Sequence, residues 1–191
     1  MKRLQKATLF ITVLYLCPHL AVGQKSKKEV QNSIENRAKE YESIAKSIWN
    51  FAEVGYQEEK SSGLLKKTLS DEGFNINSGV AEIPTAFVAE YGSGRPIIGI
   101  LAEFDALPGI SQEVATVRKP IVDKGAGHAC GHHLFGTAST AAAIAIKGYL
   151  KETKQQGTIR LYGTPAEEGG SAKVYMVRAG LFNDVDIVLH W

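Results

Sequence analysis

The sequence predicts an α/β domain, a mostly parallel sheet flanked by helices. Three observations carry that expectation. From residue 85 onward, short runs rich in Ile, Val, Phe and Tyr alternate with stretches of helical periodicity. The run Ile97 to Ala102 is almost continuously apolar, as a strand covered on both faces must be. The stretch HLFGTASTAAAIAIKGYL, residues 133–150, is apolar nearly all round, which predicts a buried helix.

The other elements follow in order. Val30, Ile34, Ala38, Tyr41, Ile44, Ala45, Ile48, Trp49 and Ala52 recur at helical spacing and predict one amphipathic helix from Glu29 to Ala52. A second helix is expected from Glu58 to Ser70, closed by Gly73. Three β-like runs come next, FNINSGV (74–80), TAFVAEYG (85–92) and PIIGILAEFDA (96–106). The last delivers Glu103 and Asp105 at its carboxyl end. A Gly- and Pro-punctuated loop from Leu107 to Gly127 precedes the apolar helix. After it come a strand GTIRLYG (157–163), the segment TPAEEGGSA, and a helix from about Ala172 to Arg178 ended by Gly180. VDIVLH (185–190) reads as a final buried strand. The chain stops at Trp191 directly after it, which predicts a fragment of a longer domain.

Composition is that of a globular protein, with 44% hydrophobic and 22% charged residues. The formal charge of +2 sits largely in the N-terminal lysines and arginine, so the body is mildly acidic and no nucleic-acid partner is expected. Lys2, Arg3 and Lys6 precede an apolar run from Ala7 to Leu16, broken by Pro18. Ala21-Val22-Gly23 then offers a small-x-small cleavage site. This pattern predicts a signal peptide over 1–23 and a secreted or periplasmic mature chain. A membrane anchor is the alternative, but the run is short and cut by Pro18 and His19. A lipoprotein signal fits less well, because Leu16 before Cys17 is bulky. Cleavage would leave Cys130 as the one cysteine, without a disulfide partner: a buried spectator, a reactive thiol or a metal ligand.

Functional groups in open α/β sheets gather beyond the carboxyl ends of strands. Four clusters meet that description: Glu103 with Asp105, the loop GAGHACGHHLFG (125–136), Glu167 with Glu168, and His190. Each alone has a bland reading, as a solvated turn, a helix cap or a packed histidine. Together they form a metal-ligand set. Cys130 and His132 stand two apart on a turn flanked by Gly127, Gly131 and Gly136, so both side chains can reach one ion. A structural zinc module would need a second Cys/His pair, which the chain lacks. A mixed-ligand catalytic site with an open position fits better. Thiolate and imidazole suit zinc and carboxylates suit manganese, so the metal stays open. Neighbouring acids on an extended segment point opposite ways, so one of Glu167 and Glu168 can bind metal while the other moves protons.

LAEFDALPG, GHACGH, GTPAEEGG, MVRAGLF and VDIVLHW occur in that order in a known family, and WNFAEVGYQEEKSS resembles its first helix and turn. On these motifs, covering almost the whole mature chain, the sequence resembles the M20 peptidase family of metallo-amidohydrolases, most closely its aminobenzoyl-glutamate utilization branch. The resemblance implies two divalent ions, zinc or manganese, sharing a bridging water. It implies Cys130, His132, Glu168 and His190 as ligands, Glu167 as general base, Asp105 orienting the site and His128 behind the ligands.

Three departures stand out. His133 occupies a position where relatives commonly carry Asp or Asn. Glu103 stands where the wider family often has a ligand histidine, and is left out of the ligand set. The family also continues past this endpoint with a lid and dimerisation domain and a last ligand histidine. Residues 24–191 would thus be the N-terminal part of the catalytic domain, inactive by themselves.

The implied reaction is hydrolysis of an amide in an N-acyl or aminoacyl amino acid, such as p-aminobenzoyl-glutamate or a small dipeptide. The full-length protein would be a homodimer or hetero-oligomer, with no stable membrane insertion after signal cleavage. A cysteine hydrolase using Cys130 and an inactive metal-binding fragment are the competing readings.

Overall fold

The computed structural model describes residues 27–190. The expected signal peptide, Cys17 and Trp191 lie outside the described residues. Helical residues 27–35 (α1) lead into α2 (Ala38–Phe51) and α3 (Glu59–Asp71). Then come β1 (Asn75–Ser78), a short 3-10 turn (Val80–Glu82), β2 (Phe87–Ser93) and β3 (Ile97–Ala102). The chain continues through α4 (His132–Thr153), β4 (Gly157–Gly163), α5 (Ala172–Arg178) and β5 (Ile187–Leu189). The five strands form one sheet in the order β1-β2-β4-β3-β5.

The α/β expectation holds, with a mixed sheet. β3 runs parallel to both β4 and β5, whereas β1–β2 and β2–β4 are antiparallel. A short connection joins the antiparallel neighbours β1 and β2, and α4 supplies the crossover that parallel β3 and β4 require. The parallel half carries the candidate site.

Helices cover both faces, because each face of the sheet presents its own apolar set. On one face Ile48, Leu65, Leu69 and Ile144 pack against Phe87, Ile100, Ile159 and Leu161. On the other, Ala172 and Met176 of α5 join Val80, Ile83, Leu101 and Tyr162. No helix among the described residues is long and apolar enough to cross a membrane.

Three expectations change. The single helix Glu29–Ala52 breaks at Asn36–Arg37, where the Arg37 amide bonds the Ile34 carbonyl in a tightened turn. A tertiary contact accompanies the break: the Arg37 guanidinium grips Glu40 at 2.8 Å and Glu72, beyond α3, at 2.7 Å. Helix α4 is buried on most sides but leaves Leu134 and Ala138 exposed beside Trp49. Finally β5 is not buried: Ile187, Val188 and Leu189 are 45–49% exposed. Among the described residues it pairs with β3 alone and forms the sheet edge.

Candidate metal centre

The site is built where β3 ends. Alternation along the extended chain sends Phe104 into the core, fully buried, and turns Glu103 and Asp105 away from it. Both carboxylates are nevertheless buried. Helix α4 brings its first residue, His132, to meet them. Two glycines make this possible. Gly131 takes a left-handed φ of +88° to start the helix, a conformation that penalises other residues. At Gly136 a Cβ would lie 2.5 Å from the Glu103 carbonyl oxygen, so only glycine lets α4 approach β3 this closely. Ser139 then pins the helix by donating to the Leu101 carbonyl at 2.7 Å.

His132 is the centre of the arrangement. Its Nδ1–H donates to Asp105 Oδ1 at 2.9 Å, and Nε2 lies 3.2 Å from Glu103 Oε2. Glu167 Oε2 stands 3.8 Å from Nε2, and Glu168 Oε1 3.9 Å from Nδ1. The second oxygen of Asp105 accepts the Glu168 backbone N–H at 2.9 Å, which fixes the acid loop to the end of β3. One buried carboxylate thus holds both the histidine ring and the Glu168 backbone.

Four carboxylates around one imidazole shape its electrostatics. Burial disfavours a charged His132, but the Asp105 hydrogen bond and the charges of Asp105, Glu103 and Glu168 outweigh it and raise its pKa. Burial likewise works against Asp105 ionisation, and the bonds from His132 and the Glu168 amide overcome it, so its pKa is lowered. The Cys130 thiol is pushed up to about 11, chiefly by its hydrogen bond with Glu168, then by burial and the surrounding carboxylates.

The donor set fits a divalent cation. One ligand atom from each of Cys130, His132 and Glu168 lies within 4.8 Å of the other two. Thiol, imidazole and carboxylate at this separation can close on one ion, and Asp105 behind His132 holds the ring tautomer as second carboxylates do at metal sites. Glu167 is the more open of the paired acids, its side chain 42% exposed against 17% for Glu168. The two side chains therefore have the different surroundings that separate roles require.

The remaining sequence-derived residues divide. His190 arrives through Glu103, with Nε2 3.2 Å from Glu103 Oε1, rather than through the Cys130–His132–Glu168 trio. Glu103, left out of the sequence-derived ligand set, instead links His132, His190 and Lys173. Its placement two residues before Asp105 on an extended chain was the available signal. Lys173 carried none, since its role comes from where α5 packs. The His128 ring nitrogen lies 3.1 Å from the Ile48 carbonyl oxygen, and the ring stacks on Trp49. His133 packs on the same indole. It meets the Trp49 ring edge-on at 5.0 Å, because successive helix residues point about 100° apart.

Beyond its parallel strands the sheet thus gathers a donor set able to hold a divalent cation. Residues 99–191 match the model of Peptidase family M20/M25/M40. It is 44% identical over 169 residues to a subunit of the p-aminobenzoyl-glutamate hydrolase of Escherichia coli, covering 88% of this chain and 35% of that protein. It is 30% identical to the human Xaa-Arg dipeptidase over 81% of this chain and 36% of the relative. A solved dinuclear metal binding peptidase of Bacillus subtilis superposes with a TM-score of 0.65 at 26% identity, over 81% of this chain and 42% of that one. The chain thus spans about a third of the length of these curated relatives.

Proposed function

We propose that this chain is the N-terminal part, residues 24–191, of a catalytic domain that hydrolyses an amide bond in an N-acyl or aminoacyl amino acid. p-Aminobenzoyl-glutamate and small dipeptides are the substrate class, as the named activities of the two relatives suggest. The observation that carries the reading is the meeting of Cys130, His132 and Glu168 beyond the parallel strands, with Glu167 beside them.

Cys130, His132 and Glu168 would hold divalent cation, and His190 would complete a second position next to Glu103. The solved peptidase that this chain resembles is dinuclear, which supports two ions; thiolate and imidazole suit zinc and the carboxylates suit manganese. Ions held there supply Lewis acidity toward the scissile carbonyl and make water a better nucleophile near neutral pH.

The chain's own residues do the rest. Glu167, on the open side, accepts the proton of the attacking water at its carboxylate and delivers it to the leaving amine nitrogen. Asp105 keeps the His132 tautomer and the Glu168 backbone in place throughout. The N-terminal segment makes this a secreted or periplasmic activity, which N-terminal sequencing of the mature protein at Gln24 checks.

The test uses the full-length protein. Chelation abolishes hydrolysis of an N-acyl amino-acid panel, and zinc or manganese restores it. Glu167→Ala lowers kcat by ~10²–10⁴-fold, the usual cost of a lost general base, while bound metal is retained. A wild-type kcat in that variant overturns the assignment. Activity indifferent to chelator but lost on alkylation would install Cys130 as nucleophile. Against that second reading stands a thiol pushed up to about 11, the reverse of what an activated thiolate needs.

A further inference from the structure

Glu58 is a carboxylate with no exposed surface, in the EVGYQEEKSS segment that the metal centre does not use. Both of its oxygens are engaged. Oε1 accepts the backbone N–H of Ala166 at 2.8 Å, and Oε2 accepts the Thr85 hydroxyl at 3.0 Å. Ala166 immediately precedes Glu167 and Glu168. It sits at φ +53°, the left-handed region that a non-glycine residue occupies only when its surroundings hold it there.

The surroundings do hold it. The Ala166 carbonyl accepts the N–H groups of Gly170 and Ser171, closing the acid loop into a turn. The turn before α3 seats against that loop. A Cβ on Gly55 would come within 2.9 Å of the Ala166 Cβ, and one on Gly170 within 2.4 Å of the Tyr56 ring. The Tyr56 hydroxyl donates to the Gly170 carbonyl. Two residues beyond Ala166, the Glu168 N–H is held by Asp105. Alternate N–H groups of the loop are therefore gripped by two buried carboxylates from different elements, Glu58 from the α3 turn and Asp105 from the end of β3. Glu167 is the residue between them.

We infer that Glu58 is a positioning residue: through the Ala166 N–H it sets the register in which Glu167 and Glu168 present their carboxylates. It touches neither substrate nor metal. The assignment rests on the proposed roles of Glu167 and Glu168 as base and ligand. A carboxylate suits this role because its length and its two acceptor oxygens span Thr85 and Ala166 at once.

Full-length protein reports this by kcat, KM and the thiolate-to-cobalt charge-transfer absorption of Cys130 on titration with Co2+, all below the unfolding temperature. Glu58→Ala lowers kcat ~10–100-fold and weakens cobalt binding by a similar factor, the usual effect of losing an outer-shell partner, with KM little changed. Glu58→Asp, one methylene shorter, keeps the carboxyl group and shows the same kcat loss, deciding the matter should Glu58→Ala not fold. Leu69→Ala opens a cavity in the core beneath α3 and serves as the structural control, lowering stability while leaving kcat and cobalt binding at the wild-type level. Folded Glu58→Ala and Glu58→Asp with wild-type kcat and cobalt spectra overturn the inference, as does a Leu69→Ala loss equal to theirs. A wild-type protein that neither binds cobalt nor hydrolyses amides overturns instead the function on which it rests.

Discussion

Asp105 can be neutralised without changing its shape, which makes Asp105→Asn a direct test of how the centre is organised. The carboxylate is almost fully buried and each oxygen has one donor. Oδ1 accepts from His132 Nδ1 and Oδ2 from the Glu168 amide, both at 2.9 Å. Asparagine offers one acceptor and turns an NH2 toward the other N–H. One charge-assisted bond is lost and a buried donor is left facing a donor, at a cost of about 1.5–3 kcal/mol. In metal-free protein, less repulsion among the clustered carboxylates offsets part of this. In metal-loaded protein that relief is absent, because the cation already neutralises the cluster. With the His132 tautomer no longer locked, metal affinity should fall ~10–100-fold, or about 1.4–2.7 kcal/mol. Urea denaturation of wild type and Asp105→Asn, each with and without Co2+, separates the two effects. The variant should show a lower urea midpoint without metal and a smaller gain in midpoint on adding metal. Wild-type stability together with wild-type cobalt affinity would refute the claim that Asp105 organises the centre.

Two further outcomes follow from packing and titration, beside those stated for Glu167 and Glu58. Gly136→Ala places a methyl 2.5 Å from the Glu103 carbonyl, backbone that cannot swing aside, so it should destabilise by about 1–3 kcal/mol and weaken cobalt binding by displacing His132. Cobalt affinity equal to wild type would show that α4 shifts without moving the site. The pKa of His128 is pulled down to about 4, first by burial and then by neighbouring His133. A depressed histidine stays neutral in the folded state while the unfolded chain binds the proton near pH 6.5. Its contribution to stability is therefore complete above pH 6.5 and is lost as pH falls toward 4. His128→Gln should flatten the metal-free stability profile across that window by up to one proton's worth, about 1.4 kcal/mol per pH unit; an unchanged slope would contradict this.

Periodicity was enough for most of the fold. The α3, β4 and α5 boundaries match their apolar patterns closely, because each of these elements has one face that must be covered and turn residues at its ends. The edge position of β5 was not legible. Ile187 to Leu189 read as buried because hydrophobicity says what a strand prefers, not how many neighbours the sheet order provides. The break at Asn36–Arg37 was hidden for a similar reason. Its ion pair reaches Glu72, and no window of local sequence contains both partners.

The site divides along the same line. Residue types and short spacings determined its chemistry: a lone thiol two positions from a histidine, paired acids after a strand, and a carboxylate at the end of an apolar run are metal-ligand and proton-transfer groups wherever they fold. Only the tertiary structure decided which of them meet. It turned Glu103 from a discounted residue into the link among His132, His190 and Lys173, and set His128 and His133 against Trp49. It also joined Glu58 to Ala166 across 108 positions. The physical reason is direction: sequence specifies which donors and acceptors exist and how strongly burial will press them to pair, whereas the partner each one finds depends on the angles at which helices and strands pack.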